Sequence, residues 1–151
     1  MGGVRYVLDT HILSEPLAKF PDPGVMSHRQ RHSEEIALSA SSWQEMLFGM
    51  SRLAEGRRRR QIEDYLLHRI RGVLPILQFD QAAAEWQAEY SAKLVAQGLT
   101  PAYADAQIAA IVASRDLVLV TRNLQDFRGF SSLSIENWFD RDITTESPEE
   151  R

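Results

Sequence analysis

The sequence predicts an α/β domain: a three-layer α/β/α arrangement around a central, mainly parallel sheet. Three observations predict it. Short aliphatic runs alternate with segments of helical periodicity, the order that builds crossover connections between parallel strands. The runs at 4–8 and 117–120 are apolar almost throughout, as in strands covered on both faces rather than half-exposed antiparallel ones. The length of 151 residues suits one domain with a substantial core, and no repeat or low-complexity segment divides it.

Each element has its own local signal. Residues 4–8 form a first strand that ends at Asp9. Ser14, Glu15 and Pro16 then open a helix, the serine as cap and the proline tolerated in the first turn. Pro21, Pro23 and Gly24 mark a turn before a helical segment at 25–32, and residues 36–39 form a second strand. A helix follows at 42–53, with Trp43, Met46, Leu47 and Met50 on one face and Gly56 as its end. Residues 61–70 repeat Ile62, Tyr65, Leu66 and Ile70 at helical spacing, which turns His68 and Arg69 outward. A third strand is expected at 73–77 despite Pro75, then a long helix from the Asp80 cap to about residue 97, stopped by Gly98. Thr100 and Pro101 start the next helix, which runs through Ser114 to the aliphatic strand at 117–120. A last short strand at 133–135 completes a domain over residues 1–143, and the polar residues 144–151 form a tail expected to be disordered.

Composition narrows the chemistry. The chain has 44% hydrophobic and 25% charged residues, as in an ordinary globular protein. Its lack of cysteine excludes disulfides, thiolate nucleophiles and cysteine-bound zinc or iron-sulfur centres, so any metal is held by oxygen or imidazole. The N-terminus has no signal-peptide pattern and no apolar run approaches the roughly 20 residues that span a bilayer, so a cytoplasmic protein is expected. A net charge of −4 argues against binding long nucleic acid by bulk electrostatics. The positive charge is almost all arginine, Lys19 and Lys93 excepted, and the run Arg57, Arg58, Arg59, Arg60 reads as a solvated helix start or loop.

Asp9, Glu45, Asp105 and Asp126 are far apart in sequence, yet the element order delivers them toward one sheet edge. Clustered carboxylates raise one another's pKa and are unfavourable unless a cation sits among them, which points to a divalent-metal site. Each acid also has a purely structural reading. Asp9 suits an Asx-turn or helix cap after the first strand, and Glu45 fits a capping box with Ser42. Asp105 precedes Ile108, Ala109 and Val112 on a stripe that packs on the sheet, with no basic residue within one helical turn. Asp126 follows the aliphatic strand in a loop where Asn123 offers a second oxygen donor or an orienting group. Thr10 and Thr121 are placed to orient carboxylates, and His11 and Glu15 lie at the rim. His28, His32 and His68 lie in polar helical surroundings, and Tyr103 and the three tryptophans read as packing residues.

Together the segments V-L-D-T-H-I-L-S-E-P-L, S-A-S-S-W-Q-E-M-L-F-G, Y-A-D-A-Q-I-A-A and V-L-V-T-R-N-L-Q-D-F resemble the four motifs of the PIN-domain family, and more narrowly of its VapC and FitB type toxins. The similarity runs from about Val4 to Trp138. It implies a parallel sheet flanked by helices, a Mg²⁺ or Mn²⁺ site made by Asp9, Glu45, Asp105 and Asp126, and endoribonuclease activity. It also implies a homodimer, a cognate VapB- or FitA-like antitoxin, and a heterotetramer or larger assembly of the two with DNA. The chain departs from the family at His11, where asparagine is usual. Relatives place their fourth acid either at the position of Asn123 or at that of Asp126.

Other readings are weaker. A haloacid-dehalogenase phosphatase needs an aspartate at position 11, which is histidine, and a receiver domain needs an acidic pair after the first strand. A PIN-type RNA-processing or DNA-directed nuclease, or a non-catalytic interaction module, are the alternatives to a toxin.

Overall fold

The computed structural model describes residues 3–140. The expected tail at 144–151 lies outside these residues. Five parallel strands, β1 (Tyr6–Leu8), β2 (Ile36–Ser39), β3 (Ile76–Leu77), β4 (Val118–Val120) and β5 (Ser134–Glu136), form one sheet in the order β3-β2-β1-β4-β5. Tyr6 pairs with Ile36 on one side and with Val118 on the other, so β1 is the central strand. The chain moves outward from β1 through β2 to β3, then returns to β4 and continues outward to β5. That reversal opens a crevice at the carboxyl ends of β1 and β4, the usual ligand position in such sheets.

The pleat divides the core. Tyr6 and Leu8 point into one apolar layer with Ile12, Leu13, Leu38, Leu66, Ile70 and Trp138, whereas Val7 and Leu119 join Leu94, Ala109, Val112, Phe127 and Phe130 in the other. Helices α1 (Thr10–Ser14), α2 (Pro23–Arg31), α3 (Ala40–Ser51) and α4 (Arg57–Tyr65) contribute to or flank the first layer, while α5 (Gln81–Ala96) and α6 (Tyr103–Ala113) cover the second. The α/β/α architecture expected from the sequence is therefore present. Asp80 caps α5, and Gly98 closes it at φ +80°, a conformation that favours glycine.

Several local expectations are corrected. Helix α1 starts at Thr10 because Asp9 caps it, and Glu15–Leu17 is a single 3₁₀ turn rather than the opening of a helix at Ser14. Helix α3 starts at Ala40, capped by Ser39, whose Oγ accepts from the Ser42 amide at 3.0 Å. It ends at Ser51, and Gly56 instead precedes α4. Helix α4 begins at Arg57, so the arginine run forms its first turn, and the helix widens into π-type turns at Leu66–Ile70. Helix α6 begins at Tyr103 behind Ala102, two residues beyond Pro101. Tyr103 is 71% exposed rather than a packing residue. His28 and His32 are not in polar surroundings either: they stack on Trp138, with ring centroids 5.0 and 5.6 Å away.

Candidate active site

Asp9 follows β1 directly, and its amide donates to the Val120 carbonyl at 3.0 Å, which extends the β1–β4 pairing by one residue. Its side chain, 7% exposed, is fixed from two sides. Oδ1 accepts from the amides of His11 and Ile12 at 3.1 and 3.2 Å, and Oδ2 accepts from the Thr121 hydroxyl. Burial nevertheless raises the Asp9 pKa, because these hydrogen bonds only partly offset the loss of water. Thr121, fully buried after β4, also accepts from the Asn123 amide at 3.0 Å and so ties the loop that carries Asp126 to Asp9.

Glu45 lies one turn and a half into α3 and is exposed, with Oε2 accepting from the Thr10 hydroxyl at 2.8 Å. Because Ser39 rather than Ser42 caps α3, Glu45 has no capping duty. Asp105 sits in the first turn of α6, half-buried. Among the described residues it receives neither a hydrogen bond nor an ion pair, and its pKa is raised by burial first, then by the charges of Asp126, Glu45 and Asp9. That order of causes places all three carboxylates within electrostatic reach of Asp105. Asp126 is exposed on the 3₁₀ turn Leu124–Phe127 that Asn123 precedes.

Asp9 and Asp126 follow the carboxyl ends of β1 and β4, and the charges of Asp126, Glu45 and Asp9 all act on Asp105. Among the described residues no group of three or more Asp, Glu or His side chains is drawn close enough together to hold a metal ion as it stands. The oxygen donors of these carboxylates, with Asn123 in the Asp126 loop and no thiolate in the chain, have the chemistry of a site for a hard cation rather than a soft one. His11 is exposed on α1, and its charge acts to lower the Asp9 pKa. Glu15 turns away, accepting the Asp22 amide at 3.0 Å and bordering a neighbouring groove.

Sequence reasoning missed one contact that positions the acids. The Ser41 hydroxyl donates to Gln107 Oε1 at 2.8 Å and so joins α3 to α6, the helices that carry Glu45 and Asp105. A serine in a first turn and a glutamine two residues after an aspartate carry no sequence signal of such a pair.

Replacing Thr121 with valine removes the donor to Asp9 Oδ2 while keeping the side-chain shape. The kcat of whatever reaction the acids support is expected to fall by about 10- to 100-fold, the usual scale for a group that orients a functional carboxylate. The acid limb of the pH–rate profile moves to higher pH because Asp9 loses a hydrogen bond that favours its ionised form. Thr121→Ser restores both, and unchanged kcat with an unchanged profile in the valine variant would show that this contact is only structural.

Comparison with known proteins places the fold in a family. The plasmid stability protein StbB of Pseudomonas syringae pv. tomato is 30% identical over 87% of this chain and 97% of its own. The tRNA(fMet)-specific endonuclease VapC of Shigella flexneri is 25% identical over 89% of this chain and 98% of its own. In the structure of FitAB bound to an IR36 DNA fragment, one chain superposes with a TM-score of 0.80 at 26% identity, covering 90% of this chain and 97% of that one. The PIN domain profile matches residues 6–131, which include all four acids and both threonines, and the chain belongs to the PIN domain family.

Proposed function

We propose that this protein is a divalent-metal-dependent endoribonuclease that acts in the cytosol as the toxin of a toxin–antitoxin pair. The observation that carries this reading is Asp105: a half-buried carboxyl without a partner among the described residues, whose pKa is raised by burial and by the charges of Asp126, Glu45 and Asp9. Such an arrangement is unfavourable for an empty site and favourable around a cation. The name of the VapC relative, a tRNA(fMet)-specific endonuclease, supports RNA as the substrate class.

Asp9, Glu45 and Asp105 would hold Mg²⁺ or Mn²⁺, and Asp126 would hold it or orient the attacking water, with Asn123 as a further oxygen donor. When bound, the ion supplies an acidified water and neutralises charge developing on the scissile phosphate. The protein's part is orientation. Thr121 and the α1 amides keep Asp9 turned into the crevice, and Thr10 does the same for Glu45. Without the ion the carboxylates repel a phosphate, so RNA binding at the site depends on metal.

A cognate VapB- or FitA-like antitoxin is the proposed partner, by analogy with the FitAB complex. A groove of about 520 Å³ lined by Met46, Met50, Leu53 and Ile62 opens beside Thr10 and Glu45, where an amphipathic segment would block access to the acids. A homodimer, and a larger assembly with antitoxin and DNA, complete the proposal.

Inducible expression in a bacterial host tests it. The wild-type chain is expected to arrest growth and fragment RNA, while Asp9→Asn at equal abundance does neither. Equal arrest by both would overturn the enzymatic reading, and RNA cleavage without arrest would move the assignment to a PIN-type processing nuclease.

A further inference from the structure

A second cavity, of about 410 Å³, is lined by Asp126 and shares no residue with the Thr10–Glu45 groove. Its floor is apolar and firm: Leu94 and Phe130 are almost wholly buried, and Phe130 is backed by the Trp86 and Tyr90 rings at 6.0 and 5.7 Å. Leu99, 49% exposed, and Pro101 flank the mouth. Asp126 and Arg128 complete the wall, and the Arg128 guanidinium makes no hydrogen bond or ion pair among the described residues.

We propose that this cavity takes one unstacked nucleobase of a single-stranded RNA, next to the phosphate that is cut. The inference rests on the ribonuclease reading of the acid site and adds a substrate subsite to it. Two observations choose this occupant. Asp126 lines the cavity and is also the carboxylate whose charge raises the Asp105 pKa most, so a chain whose phosphate lies over the acids brings its neighbouring base to the mouth. The unpaired guanidinium of Arg128 at the rim matches the next phosphate along, while the apolar floor matches a base lifted out of its stack. Single-stranded RNA is commonly read in this way, with bases held on apolar or aromatic surfaces and the backbone by arginine.

Gly129 offers a clean way to fill the cavity. A Cβ built there lies 3.7 Å from Leu94 Cδ2, ordinary van der Waals contact, so a side chain enters the space above Leu94 without collision. The probe is a short single-stranded RNA carrying 2-aminopurine at successive positions, bound with Mg²⁺ to the Asp9→Asn chain. Fluorescence is expected to change at one position. Adding Gly129→Val abolishes that change and weakens binding about tenfold, the usual scale for losing one stacked base. In the otherwise native enzyme, Gly129→Val raises KM for RNA about tenfold with kcat within about twofold, and Arg128→Ala also weakens binding. Thermal melting of each variant establishes that it is folded.

The outcomes separate the two ideas. Metal-dependent cleavage with KM and 2-aminopurine response indifferent to Gly129→Val and Arg128→Ala overturns the subsite and leaves the nuclease intact. A Gly129-sensitive fluorescence response together with no cleavage by the folded wild-type chain in Mg²⁺ or Mn²⁺ overturns the nuclease and leaves the subsite. A folded chain that binds none of the oligonucleotides overturns the subsite.

Discussion

Asparagine in place of Asp105 is expected to lower the rate of RNA cleavage by at least about 1000-fold, equivalent to about 4 kcal/mol of transition-state stabilisation. The same substitution should raise the melting temperature of the metal-free protein by about 2–4 °C, the range expected for relief of roughly 1 kcal/mol in a chain of this size. The opposed signs follow from one cause. Asp105 is pushed toward its neutral form by burial and by Asp126, Glu45 and Asp9, with no hydrogen bond or ion pair among the described residues to compensate. Its charge therefore burdens the metal-free fold and becomes useful when a cation is bound. Saturating Mn²⁺ should raise the melting temperature of the wild-type chain, since a ligand at 100 times its Kd adds about 2.7 kcal/mol, and should raise that of Asp105→Asn much less.

The pH dependence has the matching sign. A carboxyl whose folded pKa lies above its unfolded value binds its proton more tightly in the folded chain. Stability is then greatest below the unfolded pKa and falls as pH rises through the folded one. Asp9 and Asp105 both shift upward, the first mainly by burial and the second by burial and like charge. Metal-free protein should thus gain stability on mild acidification from neutrality toward the ordinary aspartate range. The gain should shrink in Asp105→Asn, and scanning calorimetry across that window reads both.

Truncation of Trp138 to alanine should cost about 3–5 kcal/mol, the largest effect expected from one substitution outside the site, and lower the melting temperature by about 10 °C or more. Trp138 is 2% exposed and heads the largest fully buried side chains. It meets Tyr6 of β1 at 5.1 Å and His28 of α2 at 5.0 Å, and its indole N–H donates to Glu136 Oε1 at 3.0 Å. The segment is also locked through Asp22, whose Oδ1 accepts from the Gly24, Val25 and Asp140 amides and so joins the start of α2 to the end of the described chain. Urea unfolding measures the loss. A change below about 1 kcal/mol would mean that the cavity collapses or that the indole is not a core element.

The parts of the fold that were legible in the sequence are those set by local chemistry. Unbroken aliphatic runs gave β1, β2 and β4, and Asp80 and Gly98 bracketed α5 because capping and left-handed backbone are short-range requirements. Errors arose where two local signals competed. Ser14 and Pro16 looked like a helix start, but the Asp9 carboxylate already accepts the His11 and Ile12 amides and begins the helix earlier. Ser42 and Glu45 looked like a capping box, but Ser39 at the strand end reaches the Ser42 amide first. The run at 73–77 shortens to Ile76–Leu77 on a sheet edge, where Pro75 still offers its carbonyl to Leu38 but has no N–H to give.

The places of Asp9, Asp105 and Asp126 in the fold were legible because each stands beside an element boundary that the pattern locates. Their supports were less so. The Thr121–Asp9 and Thr10–Glu45 bonds join residues 112 and 35 positions apart, and sequence spacing carries no record of which threonine serves which carboxylate. The stacking of His28 and His32 on Trp138 was hidden for the same reason, since it forms only when β5 brings the chain's end across α2.

The central claim is tested most directly by incubating the purified, folded chain with total tRNA and with a defined single-stranded RNA, in Mg²⁺, in Mn²⁺ and in chelator, beside Asp9→Asn. Cleavage that needs the divalent ion, returns when the ion is restored after chelation and is lost in Asp9→Asn is the predicted result. Cleavage that persists in chelator, or that Asp9→Asn retains in full, would contradict it.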